Sequence, residues 1–109
     1  MTTIPRHLVF SQEEYRRRLS AVQKEMGKTD IPVLLLFSPE HIFYLSGYQT
    51  FGYFSYQALI VPAEGEPVLV LRFLETFLAG CYSWVNQVEP YDDHEDPIAV
   101  TLRTLKKYK

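Results

Sequence analysis

Ile31-Pro32-Val33-Leu34-Leu35-Leu36-Phe37-Ser38-Pro39-Glu40 carries an unbroken apolar run straight into the start of a helix. Ile31 to Phe37 shows no alternation of polar and apolar positions, so it reads as a strand covered on both faces, as in a sheet flanked by helices. Ser38 then offers a cap, Pro39 has the fixed φ that suits a first helical position, and Glu40 sets an acid at the helix's positive end. The helix is expected to run to Leu45 and to end at Gly47. A doubly covered strand followed directly by a helix is the grammar of an α/β layer structure.

Upstream, Ser11 and Glu14 have the spacing of a capping box, and Phe10 and Tyr15 that of a hydrophobic staple around it. Tyr15, Leu19, Val22 and Met26 then share one face of a helix, with Gly27 as its expected terminator. Downstream, Tyr53 to Pro62 and Pro67 to Phe73 are strand-like runs joined by Ala63-Glu64-Gly65-Glu66, which reads as an antiparallel hairpin. Leu74 to Tyr82 is expected to be helical, and Trp84 to Tyr91 is a further strand with Pro90 near its end. Asp96-Pro97 opens a last helix whose Ile98, Leu102 and Leu105 lie on one side, while Lys106, Lys107 and Lys109 suit its negative end. A hairpin combined with helical links predicts a mixed sheet.

The chain has 109 residues, the size of one domain, with 47% hydrophobic and 22% charged residues. At this length folding removes roughly two-thirds of the extended chain's surface from water, which supports one compact core. A net charge of −2 gives no basic footprint for phosphate backbones, so no nucleic-acid partner is expected. No apolar run approaches the roughly 20 residues of a membrane span, and none has signal-peptide form, so no membrane partner is expected and the expected compartment is the cytoplasm. The lone Cys81 has no partner for an internal disulfide.

The sequence holds no nucleophile elbow, phosphate-cradling glycine loop or paired zinc histidines. Cys81 has no neighbouring charge to favour its thiolate, and a buried inert thiol accounts for it. Asp92-Asp93-His94-Glu95-Asp96 has enough donors for a cation; a solvated loop with Asp96 capping the next helix explains the same residues. His7 and His41 stand apart from other ligand types. No catalytic residue and no metal ligand is therefore assigned.

Tyr48-Gln49-Thr50-Phe51-Gly52-Tyr53-Phe54-Ser55-Tyr56-Gln57 gathers polar-tipped rings beside a glycine-bearing loop. Such rings serve surfaces that a partner covers, because they combine large apolar area with a hydroxyl that can be paired. An interface role is expected for Tyr48, Phe51 and Tyr53, and core packing for Phe54 and Tyr56.

Three groups of residues carry a family resemblance. The first is Phe10-Ser11-x-x-Glu14-Tyr15-x-x-Arg18-Leu19; the second is Val33-Leu34-Leu35-Leu36 with Pro39-Glu40-x-Ile42-x-Tyr44-Leu45-x-Gly47-Tyr48. The third comprises Tyr56-Gln57-Ala58-Leu59-Ile60-Val61-Pro62, Gly65-Glu66-Pro67, Arg72-x-Leu74-Glu75 and Ser83-Trp84. In this order they resemble the amino-terminal domain of creatinase, prolidase and Xaa-Pro aminopeptidase-like proteins.

The resemblance implies a ribonuclease-H-like α/β domain, a mixed sheet flanked by helices. Residues 1–109 would be a single such domain, cut from a parent whose carboxy-terminal "pita-bread" domain does the chemistry. In peptidase relatives that second domain holds two divalent metal ions, manganese, cobalt or zinc, whereas creatinase-like relatives work without metal. The implied role here is non-catalytic: forming a homodimer and shaping the partner subunit's cleft for a small peptide or amide, with Phe51, Tyr53 and Ser55 at its rim. Tyr53 and Ser55 align approximately with a phenylalanine and an arginine that creatinase sets against its substrate, and the missing arginine speaks against creatine. Alternatives are an interaction module of a catalytically inactive pita-bread relative, or a parent that is a creatinase-like or ectoine-hydrolase-like C–N hydrolase.

Overall fold

The computed structural model describes residues 8–49 and 55–108. Helix α1 spans Gln12–Lys28. Ser11 caps it, accepting the Glu14 N–H at 3.1 Å, and the Phe10 and Tyr15 rings meet edge to face at 6.1 Å. Glu14 does not close the reciprocal half of the capping box: its carboxylate takes hydrogen bonds from Arg17 and Arg18 at 2.7–2.9 Å. Gly27 lies inside the helix rather than ending it. The stop comes from Thr29, whose hydroxyl donates to the Glu25 carbonyl, and from Asp30 at φ 56°.

Among the described residues four strands follow, with helices between all but the second and third. They are β1 (Val33–Leu36), β2 (Gln57–Pro62), β3 (Val68–Arg72) and β4 (Gln87–Tyr91), and they lie side by side in that order. The β1–β2 and β2–β3 pairs are antiparallel and β3–β4 is parallel, so the sheet is mixed as expected. Helix α2 (Pro39–Ser46) links β1 to β2; a 3₁₀ turn (Phe73–Glu75) and α3 (Thr76–Tyr82) link β3 to β4; α4 (Pro97–Leu105) follows β4. Full coverage on both faces belongs to β2, all of whose residues are buried, whereas β1 is the outermost strand and only half-buried. The apolar run at residues 31–37 thus marks an edge whose side chains still pack on both sides.

The two faces carry separate cores. Leu59, Val61, Leu69 and Leu71 meet Tyr15, Leu19, Met26, Ile42, Leu45 and Trp84 on the face covered by α1 and α2. Ala58, Ile60, Val68 and Val70 meet Tyr91 and Val100 on the α4 face. On helix α4, Val100, Thr101 and Thr104 turn inward with Leu105 packed beside them, while Ile98 and Leu102 of the shared apolar face are 57% and 54% exposed. The threonines tolerate burial because each hydroxyl is bonded within its own helix, Thr101 to the Pro97 carbonyl at 2.8 Å and Thr104 to that of Val100 at 2.9 Å.

Gly47 ends α2 in the left-handed conformation at φ 80°. There the chain passes so close to its neighbours that a Cβ would lie 2.9 Å from the Tyr82 carbonyl oxygen and 3.1 Å from the Tyr15 ring. Trp84 locks the same corner, its indole N–H donating to the Leu45 carbonyl at 2.7 Å.

Candidate functional site

The aromatic segment of residues 48–57 connects the end of α2 to the start of β2. Phe51 and Tyr53 lie outside the described residues, as does Phe54; Ser55 is half-buried at the bend that leads into β2. What the structure describes is how the chain is held on either side of them.

On the incoming side stands Tyr48. It is 1% exposed, so it is a core residue rather than the interface side chain expected from sequence. Its N–H donates to Ser46 Oγ at 3.0 Å, and its hydroxyl donates to Glu75 Oε2 at 3.1 Å. A tyrosine can be both, because its ring fills apolar space while the hydroxyl reaches a partner at the boundary. On the outgoing side Tyr56 packs between the rings of Phe37 at 5.9 Å and Tyr91 at 6.1 Å. Its hydroxyl is bonded to Thr101 Oγ1 at 2.8 Å and its carbonyl accepts the Tyr91 hydroxyl at 2.7 Å. This fits the expected packing role of Tyr56.

Arg72, at the end of β3, forms a two-pronged pair with Asp93 at 2.7 and 3.0 Å. The Arg72 hydrogen bonds hold the Asp93 carboxyl below the usual carboxylate range, and burial pushes the Tyr91 hydroxyl up. In the sequence, Arg72 and Glu75 stand out only as part of the family resemblance. Nothing local to Asp93 announces a partner in β3, because the link exists only once β3 and β4 run parallel. Phe73, Leu74 and Phe77 are exposed on the segment that carries Glu75.

The acidic stretch is occupied by structural work. Besides the Asp93 pair, Glu95 Oε1 accepts the Asp92 N–H at 3.0 Å, and Asp96 Oδ1 caps α4 through the Ile98 N–H at 3.0 Å. Among the described residues no three His, Cys, Asp or Glu side chains are grouped as a metal ion requires, so the ions implied by the resemblance do not fit this part of the chain. Cys81 is half-buried and His41 is exposed. Among the described residues, no helix is long and apolar enough to cross a membrane.

Comparison with known proteins gives this arrangement a family. Residues 18–109 match the sequence model of the creatinase/prolidase N-terminal domain. The ectoine hydrolase of Halomonas elongata is 33% identical over 89 residues, 80% of this chain and 22% of that protein. The putative dipeptidase YkvY of Bacillus subtilis is 31% identical over 91 residues, 84% of this chain and 24% of the relative. The chain thus spans less than a quarter of the length of these curated relatives. Among solved structures, dipeptidase PepE from Mycobacterium ulcerans superposes with a TM-score of 0.73 at 27% identity, over 85% of this chain and 26% of PepE. The N-terminal domain of the Xaa-Pro dipeptidase from Lactobacillus brevis superposes with a TM-score of 0.72 at 26% identity, over 83% of this chain and 67% of that one. The two solved structures share the mixed sheet and flanking helices, the family model matches most of the chain, and on that evidence the chain belongs to the creatinase/prolidase N-terminal domain family.

Proposed function

We propose that this domain is the non-catalytic partner of a carboxy-terminal hydrolase domain, pairing two subunits and shaping the cleft of the opposite one. Phe51, Tyr53 and Ser55 form the rim of that cleft. The observation that carries the reading is the double anchoring of the chain around them: Tyr48 to Glu75 before the segment, and Tyr56 to Thr101 and Tyr91 after it. Anchors on the rigid sheet and helices are what a rim needs to present side chains at a fixed position. The exposed Phe73, Leu74 and Phe77 beside Glu75 add apolar area that a second subunit would cover.

The substrate class proposed is a short Xaa-Pro dipeptide, with two divalent ions, manganese, cobalt or zinc, held by the carboxy-terminal domain and supplying the Lewis acid and hydroxide there. The role of this domain is to exclude bulk and position one end of the substrate. The reading places the protein in the cytoplasm, where Cys81 stays a free thiol. A second reading has specific support: the 33% identity to an ectoine hydrolase favours a small cyclic amide or amidine as substrate.

One experiment tests both. The full-length protein and its Tyr53→Ala variant are assayed with manganese against Xaa-Pro dipeptides and against ectoine. The expected result is turnover of one class, with kcat/KM of the variant lower by about tenfold, equivalent to roughly 1.4 kcal/mol of transition-state binding. An unchanged kcat/KM in a variant that folds and assembles normally would remove the rim assignment.

A further inference from the structure

Arg18 is a buried cation with donors to spare. It lies on the buried side of α1, and its side chain is 10% exposed. Its Cζ stands 4.4 Å from the centre of the Phe10 ring, 4.3 Å from that of Tyr44 and 5.3 Å from that of Tyr15. Nε donates to the Glu14 carboxylate at 2.9 Å and Nη1 to the Tyr44 carbonyl at 2.9 Å, which ties α1 to α2. A guanidinium carries N–H donors on all three nitrogens, and these two bonds leave Nη2 without an acceptor among the described residues. Nor is Nη2 sealed in, since among the described residues the buried side-chain polar atom that lacks a partner is the Tyr15 hydroxyl. Glu14 does not belong to Arg18 alone: its carboxylate also takes both prongs of Arg17, so one negative charge faces two positive ones.

Arg18 also lines an open apolar groove of about 410 Å³, whose walls include Val22, Met26, Ile31, Leu34 and Tyr44. An extension of about 190 Å³ shares Val22, Leu34 and Tyr44 with it and continues past Leu36. Glu25 lines the groove as well, but it is paired with Lys28 at 3.5 Å and stands about two helical turns from Arg18. The groove is therefore apolar along its length and cationic where Arg18 meets it. A space of this size, with apolar walls and one or two polar groups to fix orientation, is that of a small-molecule site.

We propose that the groove binds a small monocarboxylic acid with an apolar tail. The carboxylate accepts hydrogen bonds from Nη2 of Arg18, and the tail lies along Val22, Met26 and Leu34. Charge complementarity selects this class. An amine would add a cation to a site that already has one in excess, and an alcohol would satisfy a donor but leave that charge unmet; a carboxylate does both and suits the planar fork of a guanidinium. The rings and the two hydrogen bonds hold the guanidinium in place beforehand, so little side-chain freedom is lost on binding. The inference stands apart from the proposed cleft and does not rest on it.

The test titrates the full-length protein, carrying isotope-labelled methyl groups, with octanoate, octanol and octylamine. Octanoate is expected to shift the methyl signals of Val22, Met26 and Leu34. It should bind about tenfold more tightly than octanol, the worth of a charge-assisted hydrogen bond, and octylamine should bind more weakly than either. Arg18→Gln should bring octanoate down to the level of octanol while leaving octanol unchanged, a split that lost packing would not produce. Ala21 is exposed and lines the groove, so Ala21→Phe should weaken octanoate and octanol alike with Arg18 intact. It keeps the test decisive where Arg18→Gln fails to fold. Four results would each overturn the proposal: no response to octanoate at millimolar concentration, equal affinities for octanoate and octanol in the parent, binding that leaves these three methyl signals unmoved, or binding indifferent to Ala21→Phe.

Discussion

Tyr15 and Gly47 share a space in which nothing larger than hydrogen fits. The Tyr15 side chain is 0% exposed and its hydroxyl has no hydrogen-bond partner among the described residues; burial pushes its pKa up. The Gly47 backbone fills the adjoining space, at a φ that a side chain disfavours and a distance from the Tyr82 carbonyl that a methyl cannot share. Gly47→Ala should therefore cost about 1–3 kcal/mol. Its urea unfolding midpoint should fall with the slope unchanged, and a midpoint equal to the parent's would contradict the packing described. Gly47 is legible as a helix end, but the close approach is not, because Tyr82 reaches it from another element. Tyr48 was legible as a ring with a polar tip, yet whether the ring faces outward or inward depends on Glu75, which no local pattern places.

At the scale of elements, α1 ties its first turn together with charge. Hydrogen bonds from Arg17, then from Arg18, lower the Glu14 pKa from 4.5 to about 2. A carboxyl depressed in the folded state contributes stability that is complete above its unfolded value near 4.5 and is lost as pH falls towards about 2. Replacing Glu14 by glutamine should flatten that loss. In thermal melts across this interval the parent should fall more steeply than Glu14→Gln, and parallel curves would show that the pair does not couple to folding. Helix starts were legible at Ser11 and Asp96 because a cap is a local bargain between one side chain and a backbone amide two or three residues on. The end of α1 was not, since Gly27 is tolerated inside the helix and the stop depends on the Thr29 hydroxyl and the left-handed Asp30. Which side of α4 is buried was not legible, because Thr101 and Thr104 satisfy their own hydroxyls within the helix and are buried, while Ile98 and Leu102 stay exposed.

Across the whole molecule, protection should follow the layering. The centre is β2 and β3, buried on both faces, while α3 has Ala79 as its one fully buried residue. Native-state hydrogen exchange should find the slowest amides at Leu59 to Val61 and Leu69 to Leu71, with α3 opening well before them. Equal protection in α3 would argue against the sheet as the stable unit. The α/β class and the hairpin were legible because period and turn residues are local signals, but strand order was not, and neither was the Arg72–Asp93 pair that depends on it.

The turn at residues 63–67 has a consequence in time. Strands β2 and β3 are neighbours in sequence as well as in space, so a template for the sheet can assemble during synthesis while α4 is still inside the ribosome. Strand β4 reaches that template only after the crossover through α3 has closed. The late step in refolding should accordingly be the docking of β4, and changes in the crossover, rather than in the hairpin, should set how fast the last of the domain is made.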